Sequence, residues 1–213
     1  MSTTPTPRTG GRLRNEEAHR SVLEATAALL LENGYGALTI EGVARRANVA
    51  KSTVYRWWKT KPELVMDAFT HAPEPGPDTG GLAGDLTAFL AGLYAEAGDP
   101  VRARALTGLA AEARLAPASA DPFRAWCRAR RELVRSLLAR AVAREEIPPA
   151  TDLDRAADLV LAPFWYRLLI AGTPLDAADA SRDAAAFLHG LAAPEGGSAD
   201  GRGSGRAHGR AEG

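Results

Sequence analysis

Six residues in one short stretch carry groups that bind phosphates and base edges: Lys51, Ser52, Thr53, Tyr55, Arg56 and Trp57. Between and beyond them, Val54 and Trp58 stand four apart, so on a helix they share a face and can point into a core. At about 100° per residue, Ser52 and Arg56 then point away, with Tyr55 beside them and Lys51, Thr53 and Trp57 flanking. The outward face offers an ammonium at its N-terminus, two hydroxyls, a phenol, a guanidinium and an indole. Such a set can bond phosphate oxygens and base edges together, and the first turn of the helix adds backbone amides for phosphate. A polar, solvated helix with Trp57 partly in the core would carry the same residues without touching DNA.

The elements around this stretch can hold such a face in place. A helix near 40–47 has Ile40, Val43, Ala44 and Ala47 at i, i+3, i+4 and i+7. It is too short to be stable alone and must pack on a neighbour. Asn48-Val49-Ala50 is a tight connection, and Asn48 tolerates a left-handed backbone. Two short helices joined in this way read as helix-turn-helix. A helix near 16–33 supplies a stripe of Val22, Thr26, Leu29 and Leu30 and ends at Gly34 as a left-handed cap. A fourth, near 61–72, opens on the capping box Thr60-Lys61-Pro62-Glu63, with Glu63 reaching back to the Thr60 amide.

The periodicity is helical in the rest of the chain too, with apolar positions recurring at three and four and no useful period-two alternation. Further helices are expected near 82–98, 100–116, 122–146, 152–171 and 174–192. Their starts are marked by Asp99-Pro100, Asp121-Pro122 and Thr173-Pro174-Leu175-Asp176. The fold class is all-α, with about nine helices. Residues 1–14 and 194–213 are polar or small and are expected to be a disordered arm and tail. Residues 73–81 hold Pro73, Pro75 and Pro77 and read as a linker between a head, 16–76, and a body, 82–193.

Composition bounds the function. The 213 residues are 46% apolar and 24% charged, enough to build a core. A single cysteine, Cys127, excludes a disulfide framework and a cysteine-based zinc cluster. The apolar run from Leu159 to Tyr166 contains Pro163 and meets Arg167, so it is too short and interrupted to span a bilayer. The first residues lack the apolar core of a secretory signal. A cytoplasmic protein without membrane contact is expected. The net charge of zero averages a head with ten Lys and Arg against seven Asp and Glu in residues 1–72, and a body with thirteen against sixteen in 73–193. All three lysines lie between Lys51 and Lys61. A mildly positive head on an acidic body suits a polyanion-binding module.

The run Lys51-Ser52-Thr53-Val54-Tyr55-Arg56-Trp57-Trp58-Lys59-Thr60-Lys61-Pro62-Glu63-Leu64, with Thr39 to Ala50 before it, resembles the helix-turn-helix of the tetracycline-repressor (TetR/AcrR) family. The preceding Glu32-Asn33-Gly34-Tyr35 fits as well. The resemblance implies that the third helix enters the major groove. It makes Thr39 a phosphate contact, turns Lys51, Ser52, Thr53, Tyr55 and Trp57 to DNA, and sets Lys61 on backbone phosphate. Arg45, Arg46 and Arg56 are added as further contacts with less family support. Two departures stand out. Ala50 replaces the usual N-cap Ser, a loss of about 1 kcal/mol, and Asn48 replaces the usual turn Gly.

The body resembles the family's dimerisation and ligand-binding region. Leu161-Ala162-Pro163-Phe164-Trp165-Tyr166-Arg167-Leu168-Leu169 is similar to a stretch in an actinobacterial-type branch. By that analogy the last two helices pair with their mates in a homodimer, through the stripe Ala184, Phe187, Leu188 and Leu191. Phe89, Tyr94, Phe123, Trp126, Trp165 and Tyr166 are candidates to line an effector pocket, or are ordinary core. Arg130, on the stripe of Trp126, faces inward and needs either an internal acid or a ligand carboxylate, phenolate or carbonyl. That favours a mostly apolar, planar, partly anionic effector. Arg124, Arg128, Arg131 and Arg135 read as a solvated face, with Glu132 able to pair with Arg128.

No His-Glu-x-x-His, P-loop or Gly-x-Ser-x-Gly motif is present, and His19, His71, His189 and His208 are scattered, so no catalytic site, metal or cofactor is expected. The reading is a ligand-responsive regulator, foremost a repressor, that binds a palindromic operator in double-stranded DNA as a homodimer. An all-α enzyme or carrier using the aromatic body is the alternative.

Overall fold

A computed structural model describes residues 9–69, 76–117 and 120–191, and these hold nine α-helices and no strand. The first residues of the expected arm, part of the linker and the tail from residue 192 lie outside that set. Helix α1 (Thr9–Ala37) begins well before residue 16, so part of the expected arm is helical. It breaks at Gly34, where φ is 73° and ψ is 171°. Only glycine adopts that conformation readily, so the expected stop is a change of direction followed by a last turn.

Helix α2 (Ile40–Arg46) is capped by Thr39, whose hydroxyl accepts the Gly42 amide at 3.1 Å. Asn48 takes the expected left-handed turn, with φ 53°. Helix α3 (Lys51–Trp57) follows, and Ala50 gives it no side-chain cap. Before α4 (Lys61–Phe69), Thr60 accepts the Glu63 amide at 3.3 Å as a capping box requires. Glu63, however, reaches the Lys59 amide at 2.6 Å and not that of Thr60. The head closes on Val22, Leu30, Val43, Val54, Leu64 and Val65, all with no exposed surface. Each such aliphatic contributes about 1.5–3 kcal/mol by leaving water.

In the body, α5 (Leu82–Gly98) packs on α6 (Pro100–Leu115), α7 (Asp121–Ala143) and α9 (Ala180–Leu191), while α8 (Leu153–Tyr166) lies on α7. Asp99 and Asp152 cap α6 and α8. Asp121 does not cap α7 as expected; it sits inside the first turn, behind Ala120. Helix α8 runs through Pro163 and widens into a π-helical turn, Arg167–Ala171, closed by Gly172 at φ 61°. A proline without an N–H loosens the ladder it interrupts. The expected helix 174–192 begins only at Ala180, because Asp176 caps a separate 3₁₀ turn, Ala177–Asp179.

Residues far apart in sequence clamp α5 to α7. Asp85 is wholly buried and accepts the Thr79 amide at 2.6 Å and the Thr79 hydroxyl at 2.9 Å, and both Arg140 and Arg144 approach it to 3.2 Å. Burial alone would raise its pKa, but the Thr79 and arginine donors outweigh that and hold the carboxyl below its usual range. Glu146 adds a cap to α5 by accepting the Leu82 amide at 2.5 Å.

Candidate nucleic-acid interface

The facing of α3 follows from its two anchors. Val54 and Trp58 are buried, and the Trp58 indole donates to Asp67 of α4 at 2.9 Å. Lys51, Ser52 and Arg56 are exposed, and Thr53 and Tyr55 are half-buried. Lys51 is ion-paired with Glu41 of α2, and the Tyr55 hydroxyl lies 3.4 Å from the same carboxylate. The hydrogen bond from Lys51 holds the Glu41 carboxyl below its usual pKa and the lysine above its own. Arg56 reaches Asn15 of α1 at 3.3 Å. Thr39, Arg45 and Arg46, at the start and end of α2, are exposed. Arg46 is held by Glu32 through two bonds, at 2.6 and 2.7 Å.

Two more expected DNA residues have partners inside the chain. Trp57 is one of them. It is half-buried, edge-on to His19 at 5.2 Å and to Trp58 at 5.4 Å. The α1 imidazole offers that indole apolar contact which water would not. Lys61 is turned toward the body. Its ammonium lies 3.3 Å from Glu112 of α6 and 4.1 Å above the Tyr35 ring, and only 24% of its side chain is exposed. Tyr35 donates its hydroxyl to the same Glu112 oxygen at 2.7 Å. Burial and then Glu112 raise the phenol's pKa, so it stays a neutral donor. Nothing in the spacing around Lys61 announces Glu112, which arrives from another helix.

The aromatic set of the body is divided. Phe123, Trp126 and Trp165 do meet, with ring centroids 6.0–6.2 Å apart, and Tyr94 stacks near Phe164 at 6.4 Å. Tyr94 is buried and bonded to Asp183 of α9 at 2.7 Å, Phe89 is half-buried, and Tyr166 points out with 60% of its surface exposed. Phe123 and Trp165 line one open cleft of about 440 Å³ with Cys127 and Leu169; the others do not share it. Arg130 has an internal acid after all. Glu96 of α5 meets it at 2.6 Å, and the guanidinium lies 3.6 Å from the Trp126 ring centre. Arg130 therefore needs no anionic ligand. The Trp126 indole N–H finds no acceptor among the described residues. Burial pushes the Cys127 thiol up to about 11 against the pull of Arg130 and Arg128, so neighbouring arginines do not activate it.

Among the dimer candidates, Ala184 is 1% exposed inside its own chain, where α9 meets α5. Phe187 and Leu188 are half-buried against the core, and the side chain of Leu191 lies outside the described residues. The outward apolar residues are instead Leu159 and Tyr166 of α8 and Leu169 and Ile170 of the π turn. Both of the last two helices are expected to pair, but the stripe expected at the seam lies on the last one, and Tyr166 is expected in the pocket. The arginine face of α7 is tied down differently from expectation: Glu132 pairs with Arg135, not Arg128, and Arg131 is held by Asp154 and Asp158 of α8.

Residues 22–68 match the family described as bacterial regulatory proteins, tetR family, and residues 76–187 match the tetracyclin repressor-like C-terminal domain. The HTH-type transcriptional regulator YdeS of Bacillus subtilis is 33% identical over 174 residues, which cover 76% of this chain and 83% of that protein. The DNA-binding transcriptional repressor TetR of Mycobacteroides abscessus is 30% identical over 178 residues, 76% of this chain and 87% of its own length. Among solved structures, the TetR family transcription regulator SCO0332 superposes with a TM-score of 0.60 at 32% identity, over 83% of this chain and 100% of that one. Two anchored short helices presenting a cationic, hydroxylated face, on a helical body matched by the family's own C-terminal domain, make this chain a member of the TetR family of helix-turn-helix transcriptional regulators.

Proposed function

We propose that the protein works in the cytoplasm as a homodimeric repressor of a palindromic operator, released when a small molecule binds its body. The carrying observation is the face of α3. Lys51, Ser52 and Arg56 are exposed together while Val54 and Trp58 hold the helix from behind. Thr39, Arg45 and Arg46 are exposed on the neighbouring α2 and add to the groups available for phosphate. A groove-reading helix accounts for all of them, whereas a merely packed helix needs none.

The exposed stripe of Leu159, Tyr166, Leu169 and Ile170 supports pairing through α8, with α9 beside it. A two-fold pair presents two α3 helices, which suits half-sites one helical turn apart, about 34 Å, or a multiple. The enzyme or carrier alternative loses its ground because most of the aromatic set is packed as core.

The test is a footprint on DNA upstream of the protein's own gene, with analytical ultracentrifugation of wild type and Ile170→Arg. Two symmetric protected half-sites and a dimer that the variant dissociates are expected. Salt-sensitive binding without sequence preference would sink the operator reading, and a dimeric Ile170→Arg would move the interface.

A further inference from the structure

Helix α6 presents Arg104, Gly108 and Glu112 at spacing four, and each meets the end of α1. Arg104 donates to the Leu31 carbonyl. Gly108 leaves room for the Tyr35 ring, since a Cβ there would stand 2.1 Å from Tyr35 Cγ. Glu112 takes the Tyr35 hydroxyl and the Lys61 ammonium. This stripe thus braces the end of α1 against the body, beside the packing of α4 on α6 and α7.

A cleft of about 670 Å³ opens beside the stripe. Tyr35 forms its head side, Arg104, Thr107 and Gly108 its α6 side, and Arg167 and the segment 172–175 its far wall. The lining residues include two arginines and two threonines but no carboxylate. Asp183 neutralises Arg167 at 2.8 Å. Arg104 has no carboxylate partner among the described residues; its guanidinium satisfies only a helix-end carbonyl. Ala97, Leu168 and Leu175 give the cleft apolar walls.

We propose that this cleft is an effector site for a small amphipathic carboxylate, which draws Arg104 from the Leu31 carbonyl and shifts Tyr35 on Gly108. The proposal rests on the ligand-responsive reading above and names its site and ligand class. The carboxylate makes a charge-assisted bond to Arg104, stronger than the neutral acceptor it replaces. The apolar part lies along Ala97, Leu168 and Leu175. With Tyr35 displaced, the bond to Glu112 goes, and the end of α1 loses that brace on the body. Occupied and empty states then differ in operator affinity, as linkage requires.

The test uses the full chain and three pairs of probes: octanoate, 4-phenylbutyrate and benzoate, each against its amide. Calorimetry measures binding, and fluorescence anisotropy measures operator affinity with and without each probe. At least one carboxylate should bind while its amide does not, and should weaken operator binding. Arg104→Gln should lower carboxylate affinity about tenfold or more. In Tyr35→Phe the carboxylate should still bind, but its effect on operator affinity, taken against that variant's own ligand-free value, should shrink. Failure of all three carboxylates to bind, equal binding of amides, or unchanged affinity in Arg104→Gln overturns the proposal. An unchanged operator effect in Tyr35→Phe overturns the route through Tyr35. Operator binding that persists while every probe fails leaves the regulator reading standing; absent operator binding removes that reading instead.

Discussion

Helix α3 is seven residues long and leans on two anchors, Val54 and Trp58; helix α7 is twenty-three residues long and touches α4, α5, α6 and α8. On the short helix, two buried positions turn Lys51, Ser52 and Arg56 outward as their spacing demands, and Trp57 finds an unforeseen neighbour in His19. On the long helix Phe123, Trp126, Leu137 and Ala141 are buried, with Leu133 between them only half-buried, and the spacing does not say against which neighbour. Trp126 meets other rings, and Arg130 meets Glu96 from a separate helix. Periodicity reports that a face is inside, and it says more about the opposite face on a helix of about two turns than on one of about six.

The sharpest break of this contrast is a pair of truncations. Trp126→Ala should cost about 3–5 kcal/mol of stability, as removal of a buried aromatic does. Tyr55→Ala should cost only about 1 kcal/mol while reducing operator affinity about tenfold or more. Urea denaturation and DNA binding on both variants check this. A Tyr55→Ala protein that melts like Trp126→Ala would make Tyr55 a core residue.

Asp85→Asn comes next, at about 1–3 kcal/mol, because two arginines lose their charged partner. The folded-state pKa of Asp85 is depressed. Its contribution is therefore complete above about pH 4, the unfolded value, and disappears as pH falls through the folded value. Below about pH 4 the wild type should lose stability more steeply than Asp85→Asn; parallel curves would mean the clamp does not act through charge. Ala50→Ser should then add about 1 kcal/mol by supplying the missing cap of α3, read as a raised melting temperature. A smaller effect is expected of Trp126→Phe, within about 1 kcal/mol of wild type, because it removes an indole N–H that has no acceptor along with some packing.

The head was legible from the sequence because its signals are local. Asn48 turns left-handed, Thr39 caps, and Val54 and Trp58 stand one turn apart. The intrachain partners of Lys61 and Trp57 were not legible, because Glu112 and His19 come from other helices. The same holds in the body. The Asp85 clamp joins Thr79, Arg140 and Arg144, whose sequence separations carry no pattern. The start of α9 slipped because Asp176 caps a 3₁₀ turn whose first residues look like a helix start. The helix of Leu159 and Tyr166 is expected to pair, but in so apolar a run periodicity does not say which residues turn outward.

The acids behind the recognition surface alter what DNA binding costs in ions. Glu41 is paired with Lys51, and Glu32 with Arg46, two of the cations proposed to meet phosphate. When a phosphate takes either cation, the abandoned carboxylate must gather a cation from solution, so part of the counterion release from the duplex is returned. The head thus carries its own stand-ins for the nucleic-acid backbone. Its affinity should decline less steeply with added salt than a tally of its exposed cations implies, and mismatched DNA gains less from bare charge than it would from an unguarded basic surface.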